Sequence, residues 1–207
     1  MEDHLILCDI GNTSYHFLKD ERATKEHVAT FDPSTFKEEV YYISVNPHVD
    51  TLIEQLDNWY DLRECIAWPN YYETMGVDRI VACEAIENGL IIDAGSAITV
   101  DLVVNGVFEG GFIYPGLDAM QATYRNISSR LDYSLNFELD LDKMPQNSRD
   151  AISYGVLRTL YSEVMRHNQQ IYLTGGNAKV LSQLFPTAIV DEHLLFKGMK
   201  KMMEKRC

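Results

Sequence analysis

Two carboxylates stand at the start of the chemistry in this chain. Asp9 ends the apolar run "LILCD" and is followed by "IGNTS"; Asp93 ends "LIID" and is followed by "AGSAIT". Each acid is followed two residues later by a glycine, Gly11 or Gly95, and then by small polar side chains: Asn12, Thr13 and Ser14 in the first stretch, Ser96 and Thr99 in the second. Amides and hydroxyls in such a turn donate to phosphate oxygens, and a neighbouring carboxylate can hold the accompanying Mg2+ directly or through water. Gly11 is expected to supply positive φ. An ordinary hairpin turn uses the same residue types, so either stretch alone is a weak signal. The recurrence argues for two phosphate loops facing each other across an interdomain cleft, with cations, Mg2+ and a monovalent ion, offsetting the two like charges.

The elements that carry these turns repeat as well. Strand patterns at 5–9, 14–19 and 26–31 are matched by patterns at 89–93, 97–104 and 107–113, with Asn105-Gly106 marking a hairpin. After each triplet helix and strand signals alternate. The first half has a strand at 41–45, an amphipathic helix at 48–60 and a short strand at 65–68. The second has a helix after Pro115, another from about Arg149 to His167, a strand at 170–173, a helix near 178–185, the strand "AIV" and a closing helix "LLFKGMKKMMEK". Two β-β-β-α-β-α-β units imply an α/β fold of duplicated domains, 1–88 and 89–207, each a mixed sheet with flanking helices. Residues 132–147 show no period and read as a long surface loop.

Bulk composition removes several function classes. With 207 residues, 46% of them hydrophobic, the chain can bury real cores. A formal net charge of −13 argues against general nucleic-acid binding, since an acidic surface repels phosphate backbones. No apolar run is long enough to span a membrane, and "MEDH" lacks signal-peptide character, so a cytoplasmic protein is expected. Cys8, Cys65, Cys83 and Cys207 are scattered without C-x-x-C spacing and read as reduced thiols.

Six short motifs then occur in an order that resembles type III pantothenate kinases: "DIGNTS", "GVDR" at 76–79, "DAGSAIT", "GGFIYPG" at 110–116, "NSRDAISYG" at 147–155 and "TGGNA" at 174–178. The resemblance runs from the first strand to the "TGG" turn. It implies the ribonuclease-H-like, actin-like ATPase fold shared with sugar kinases and heat-shock ATPases, in agreement with the repeat. It also implies ATP-dependent phosphorylation of pantothenate to 4'-phosphopantothenate, at the start of coenzyme A synthesis.

Residue roles follow from the same resemblance. Asp9 lies by Mg2+ and the ATP phosphates, with Gly11, Asn12 and Thr13 around them; Gly95 and Ser96 form a second phosphate loop, where the family usually has Thr for Ser96. Asp93 coordinates K+ or NH4+. Asp78 is the general base within Gly76-Val77-Asp78-Arg79, and Arg79 holds the pantothenate carboxylate or orients the site. From chemistry alone, "GVDR" reads equally as a helix start with Asp as its cap. Gly110, Gly111 and Gly116 line the pantothenate pocket, Ser148 stands where the family has Thr, and Tyr71 or Tyr72 contacts pantothenate. Gly175 and Gly176 let adenine or ribose lie on the backbone. A homodimer is implied, with no nucleic-acid or membrane partner. Another small-molecule kinase or phosphatase of the superfamily, or a non-catalytic accessory factor, stands as the alternative.

Overall fold

The computed structural model describes residues 5–206. In chain order the elements are β1 (Ile6–Ile10), β2 (Ser14–Lys19), β3 (Arg22–His27), β4 (Val40–Ser44), α1 (Pro47–Ile53), β5 (Trp59–Asp61) and α2 (Val77–Ala85). There follow β6 (Gly89–Ala94), β7 (Ala97–Val104), β8 (Val107–Pro115), α3 (Leu117–Ile127), α4 (Ser148–Met165), β9 (Ile171–Thr174), α5 (Ala178–Leu181), β10 (Ile189–Val190) and α6 (Leu194–Arg206).

The first sheet runs β3-β2-β1-β4-β5 and the second β8-β7-β6-β9-β10. In both, the central strand pairs antiparallel with the strand that follows it and parallel with the fourth strand of its unit. The two topologies are therefore the same, as the duplicated pattern predicts, and Asp9 and Asp93 are each the penultimate residue of a central strand. Ile6, Leu7, Cys8 and Ile10 are all 0% exposed, because helices or loops cover both faces of a sheet with parallel pairs at its centre.

In the first unit one face of the sheet packs on an aromatic cluster: Tyr15, Phe17, Tyr42 and Trp59, with Phe31 and Phe36 against them. In the second unit β6 and β7 pack through Leu90, Ile92, Ile98 and Val100 against Val156, Leu157, Leu160 and Val164 of α4.

Several boundaries differ from expectation for identifiable reasons. The third strand begins at Arg22 instead of residue 26, because Asp20 and Glu21 both take positive φ (48° and 60°) and close a two-residue hairpin. α1 stops at Ile53, and the fifth strand is Trp59–Asp61; residues 65–68, expected as that strand, form none, because they fall between two 3-10 turns, Leu62–Cys65, capped by Asp61 accepting from the Arg63 N–H, and Trp68–Asn70. Residues 132–147 have no regular structure, yet Leu135, Phe137 and Leu141 pack on the core and the Asn136 N–H donates to the buried Ser153 Oγ at 2.8 Å.

The largest difference concerns α6. The chain divides into a unit that ends at Ile86 and resumes at His193, and a second unit, Glu87–Glu192. The first boundary lies close to residue 88, but the closing helix packs on α2 of the first unit. Gly198 permits this: a Cβ there would lie 1.9 Å from the Val81 carbonyl oxygen, so only glycine lets the two helices approach. Leu194, Phe196, Met199 and Met202 of α6 are buried, and Lys201 Nζ donates to the Ala85 carbonyl at 2.7 Å, capping the end of α2.

Cys8 and Cys83 are free and buried, whereas Cys65 is disulfide-bonded, contrary to the reading of four reduced thiols. Cys207 lies outside the described residues. Among the described residues no helix is long and apolar enough to cross a membrane.

Candidate functional site

The Asp9 turn is built by short-range hydrogen bonds. Asp9 sits opposite His16 on β2 and Ile43 on β4, and the Gly11 N–H donates to the Ser14 carbonyl at 3.0 Å. Asn12 and Thr13 at the tip are exposed, leaving their donors open to a ligand. The expected positive φ at Gly11 is absent, and a Cβ there would meet only the Ser14 oxygen at an ordinary 3.8 Å.

A residue that sequence reasoning missed braces this turn. Buried Asn46 caps α1 by accepting from the N–H groups of His48 and Val49, while its Nδ2 donates to the carbonyls of Asn12 (3.3 Å) and Gly11 (3.5 Å). One side chain thus ties the turn to a helix start. Asn-Pro before an amphipathic run signals the cap in sequence, but nothing local signals the link across 34 residues. Asn46→Ala is expected to cost about 1 kcal/mol through the lost cap, and to raise the KM for ATP more than that for the acceptor; equal KM values in variant and wild type would remove Asn46 from this role.

The second turn is tighter by one residue, with the Gly95 N–H donating to the Ala97 carbonyl at 3.0 Å. Two of the predicted glycines press on it. Gly175 has φ +87°, and a Cβ on it would lie 2.2 Å from Asp93 Oδ1 and 2.8 Å from the Ala94 carbonyl carbon. Gly116 abuts the other side, where a Cβ would come within 2.4 Å of the Ser96 carbonyl oxygen. The "DAGS", "PG" and "TGG" motifs therefore converge within one unit. At Gly176 a Cβ would meet nothing within 4 Å, so that glycine has no steric demand from the protein.

"GVDR" forms the first turn of α2. Gly76 is the N-cap and Asp78 lies one residue inside the helix, so the alternative of Asp as the cap itself does not hold. Asp78 Oδ1 accepts from the Arg79 N–H at 2.8 Å and folds back over Gly76, where a Cβ would stand 2.5 Å away. Burial pushes the Asp78 carboxyl above the usual aspartate range, while the Arg79 backbone hydrogen bond and the Arg79 charge pull against that rise.

Arg79 is only 5% exposed. Its guanidinium donates to the Tyr72 hydroxyl and lies 5.7 Å from the Tyr72 ring centre. The Tyr71 hydroxyl instead donates to Glu84 at 3.1 Å. Tyr72 is thereby in contact with "GVDR".

Gly110 and Gly111 lie on β8 opposite Leu102 and Asp101, about 17 to 20 Å along the strand from Gly116. They line a cavity of about 340 Å3 whose far wall is the end of α4, with Glu163, Arg166 and His167. Ser148 is exposed at the start of α4, where Asn147 is the cap, and no described contact joins it to the other predicted residues.

The donor set suits a magnesium nucleotide better than a protein-caged ion. Among the described residues no group of three or more His, Cys, Asp or Glu could hold a metal. Mg2+ in phosphoryl-transfer sites needs only one or two carboxylates when phosphate oxygens and water complete its shell, which Asp9 beside an open turn can satisfy.

The family profile described as Type III pantothenate kinase matches residues 61–170. A Type III pantothenate kinase of Sulfurimonas denitrificans is 59% identical over 201 residues, covering 97% of this chain and 98% of the relative. A Campylobacter jejuni crystal structure, described as of the Baf family of transcriptional activators, superposes with TM-score 0.87 at 37% identity over 97% of this chain and 98% of that one. A Sinorhizobium meliloti structure described as a 2-dehydro-3-deoxygalactonokinase has TM-score 0.56 at 8% identity over 97% and 96% of the two chains, a likeness of fold alone. With its own six motifs in order and relatives matched over nearly their full length, the chain belongs to the type III pantothenate kinase family.

Proposed function

We propose that this protein phosphorylates the terminal hydroxyl of pantothenate at the expense of ATP, with Asp78 as the general base. The observation that carries the reading is the first turn of α2, where a carboxyl raised by burial stands beside a buried guanidinium. A raised pKa brings the carboxylate nearer the operating pH, so it accepts a proton more readily. Asp78 takes the hydroxyl proton as oxygen attacks the γ-phosphorus and the bond to ADP breaks. Arg79, its fork steadied by Tyr72, pairs with the pantothenate carboxylate. Gly76 and Val77 give the backbone of that wall, and Gly110, Gly111, Gly116 and Ser148 complete the acceptor side in this reading.

ATP phosphates are taken by Gly11, Asn12 and Thr13 and by Gly95 and Ser96, with the nucleoside along Gly175 and Gly176. Asp9 holds Mg2+ and Asp93 holds K+ or NH4+; bound there, the ions would neutralise phosphate charge. A homodimer belongs to this reading. Val107 and Ile113, more than half exposed on edge strand β8, are apolar surface that a second copy would cover. A cytoplasmic setting belongs to it too.

The test is ADP release coupled to an optical assay, with and without pantothenate, in K+ and then in Na+ buffer. Turnover should require pantothenate and fall in Na+; release indifferent to pantothenate defeats the reading. Asp93→Ala should lose the K+ response while the pantothenate KM changes less than about threefold. A variant still fully activated by K+ would remove the ion from Asp93.

A further inference from the structure

Glu84 is out of place by helix rules. It occupies the last turn of α2, where the helix dipole disfavours an anion, and its side chain is only 7% exposed, so the charge is also largely removed from water. Two of the groups that hold it there lie on different elements. Tyr71 OH donates to Oε1 at 3.1 Å, and Lys205 Nζ from α6 lies 3.4 Å from Oε2.

These contacts converge on the acceptor residues. Tyr71 has extended backbone (φ −134°, ψ 157°), so the side chains of Tyr71 and Tyr72 diverge. Tyr71 reaches Glu84 near the end of α2, and Tyr72 reaches Arg79 near its start. Five residues separate the two anchor points, about 7.5 Å along the helix axis. The segment before "GVDR" is thereby clamped to α2 at both ends, and α6 locks the far end through Lys205 and through Lys201 on the Ala85 carbonyl.

We propose that Glu84 is a positioning residue for the acceptor: acting through Tyr71, it registers Tyr72 on Arg79, and Lys205 holds it in place. The inference rests on the proposed pantothenate kinase reading and adds a residue that touches no reacting atom. Without the far clamp the contact between Tyr72 and Arg79 is loosened, and the guanidinium is held less firmly toward a carboxylate. Acceptor binding should weaken while Asp78 and the nucleotide turns stay as they are.

Glu84→Leu and Tyr71→Phe test this by steady-state kinetics in both substrates, with Glu84→Gln as the conservative partner. Leucine suits a buried helix position, and Lys205, about half exposed, can turn to water, so the fold should survive. Glu84→Leu is expected to raise the pantothenate KM about tenfold, with the ATP KM within about twofold, kcat within about threefold and an unchanged melting temperature. Tyr71→Phe should raise the same KM. Glu84→Gln, which keeps an acceptor for Tyr71, should recover most of the loss.

An unchanged pantothenate KM in both Glu84→Leu and Tyr71→Phe overturns the inference. So does a common loss in both KM values, kcat and melting temperature, which marks a general structural role. Wild-type protein without pantothenate-dependent turnover overturns the functional reading itself and this inference with it, whereas active wild type beside unaffected variants overturns the inference alone.

Discussion

Asp78→Asn is expected to lower kcat by about three orders of magnitude while pantothenate still binds within about threefold of wild type by calorimetry. Asparagine keeps an oxygen to accept the Arg79 N–H and nearly the same shape, so Gly76 and the start of α2 need not move. It cannot take a proton. The pH profile gives a second reading of the same residue. Burial raises the Asp78 pKa, so the acid limb of kcat/KM should fall above the ordinary aspartate range, with activity rising as pH increases through it. That limb should vanish in the variant. Stability moves the opposite way. A folded-state pKa above the unfolded value favours the protonated form in the native state, so its stabilising contribution is present at acid pH and lost as pH rises through the folded pKa. Asp78→Asn should therefore melt no lower than wild type at neutral pH. Unchanged turnover, or an acid limb that persists in the variant, would rule out Asp78 as the base.

Gly198→Ala should produce the largest loss of stability. The added carbon would stand 1.9 Å from the Val81 carbonyl oxygen, a backbone atom, so α2 and α6 must separate for it to fit. Overpacking of this kind costs about 3 kcal/mol, which for a chain of this size lowers the melting temperature by about 6 to 12 °C. Because α2 carries Asp78 and Arg79, kcat/KM should fall with it. Gly155→Ala is the control: its Cβ would meet the Tyr124 hydroxyl at an ordinary 3.6 Å in the middle of α4, and alanine is the better helix former. Thermal melting that ranks Gly198→Ala with Gly155→Ala would show that α2 and α6 accommodate the methyl group.

What the sequence made legible and what it hid divide along physical lines. The duplicated sheet was readable because β1 and β6 are short apolar runs ending in the same Asp-x-Gly turn, and the strands after them alternate apolar and polar. Asp20-Glu21 was hidden as a turn because these residues seldom take positive φ, a conformation imposed here by pairing on both sides. The helix after Asn46 was readable from its cap and Pro47, but its early end was not, since nothing breaks the apolar spacing before residue 60. Asp78, Arg79 and the glycine turns were legible as motifs with local spacing. Asn46, Glu84 and Lys205 were not, because their partners lie 13 to 121 residues away in the chain. That Tyr71 reaches Glu84 and Tyr72 reaches Arg79 needed coordinates too, because sequence does not tell which way each of two adjacent tyrosines points.

The return of α6 to the first unit has a consequence for how the protein is made. Residues 87–192 form one uninterrupted stretch and can close as soon as they leave the ribosome, whereas the unit begun by β1 lacks a helix until residues 194–206 have been made. Domains usually complete in order from the N-terminus. Here the unit that holds β1 is completed after residues 87–192, and α2 waits with its Val81 groove uncovered until α6 has been made.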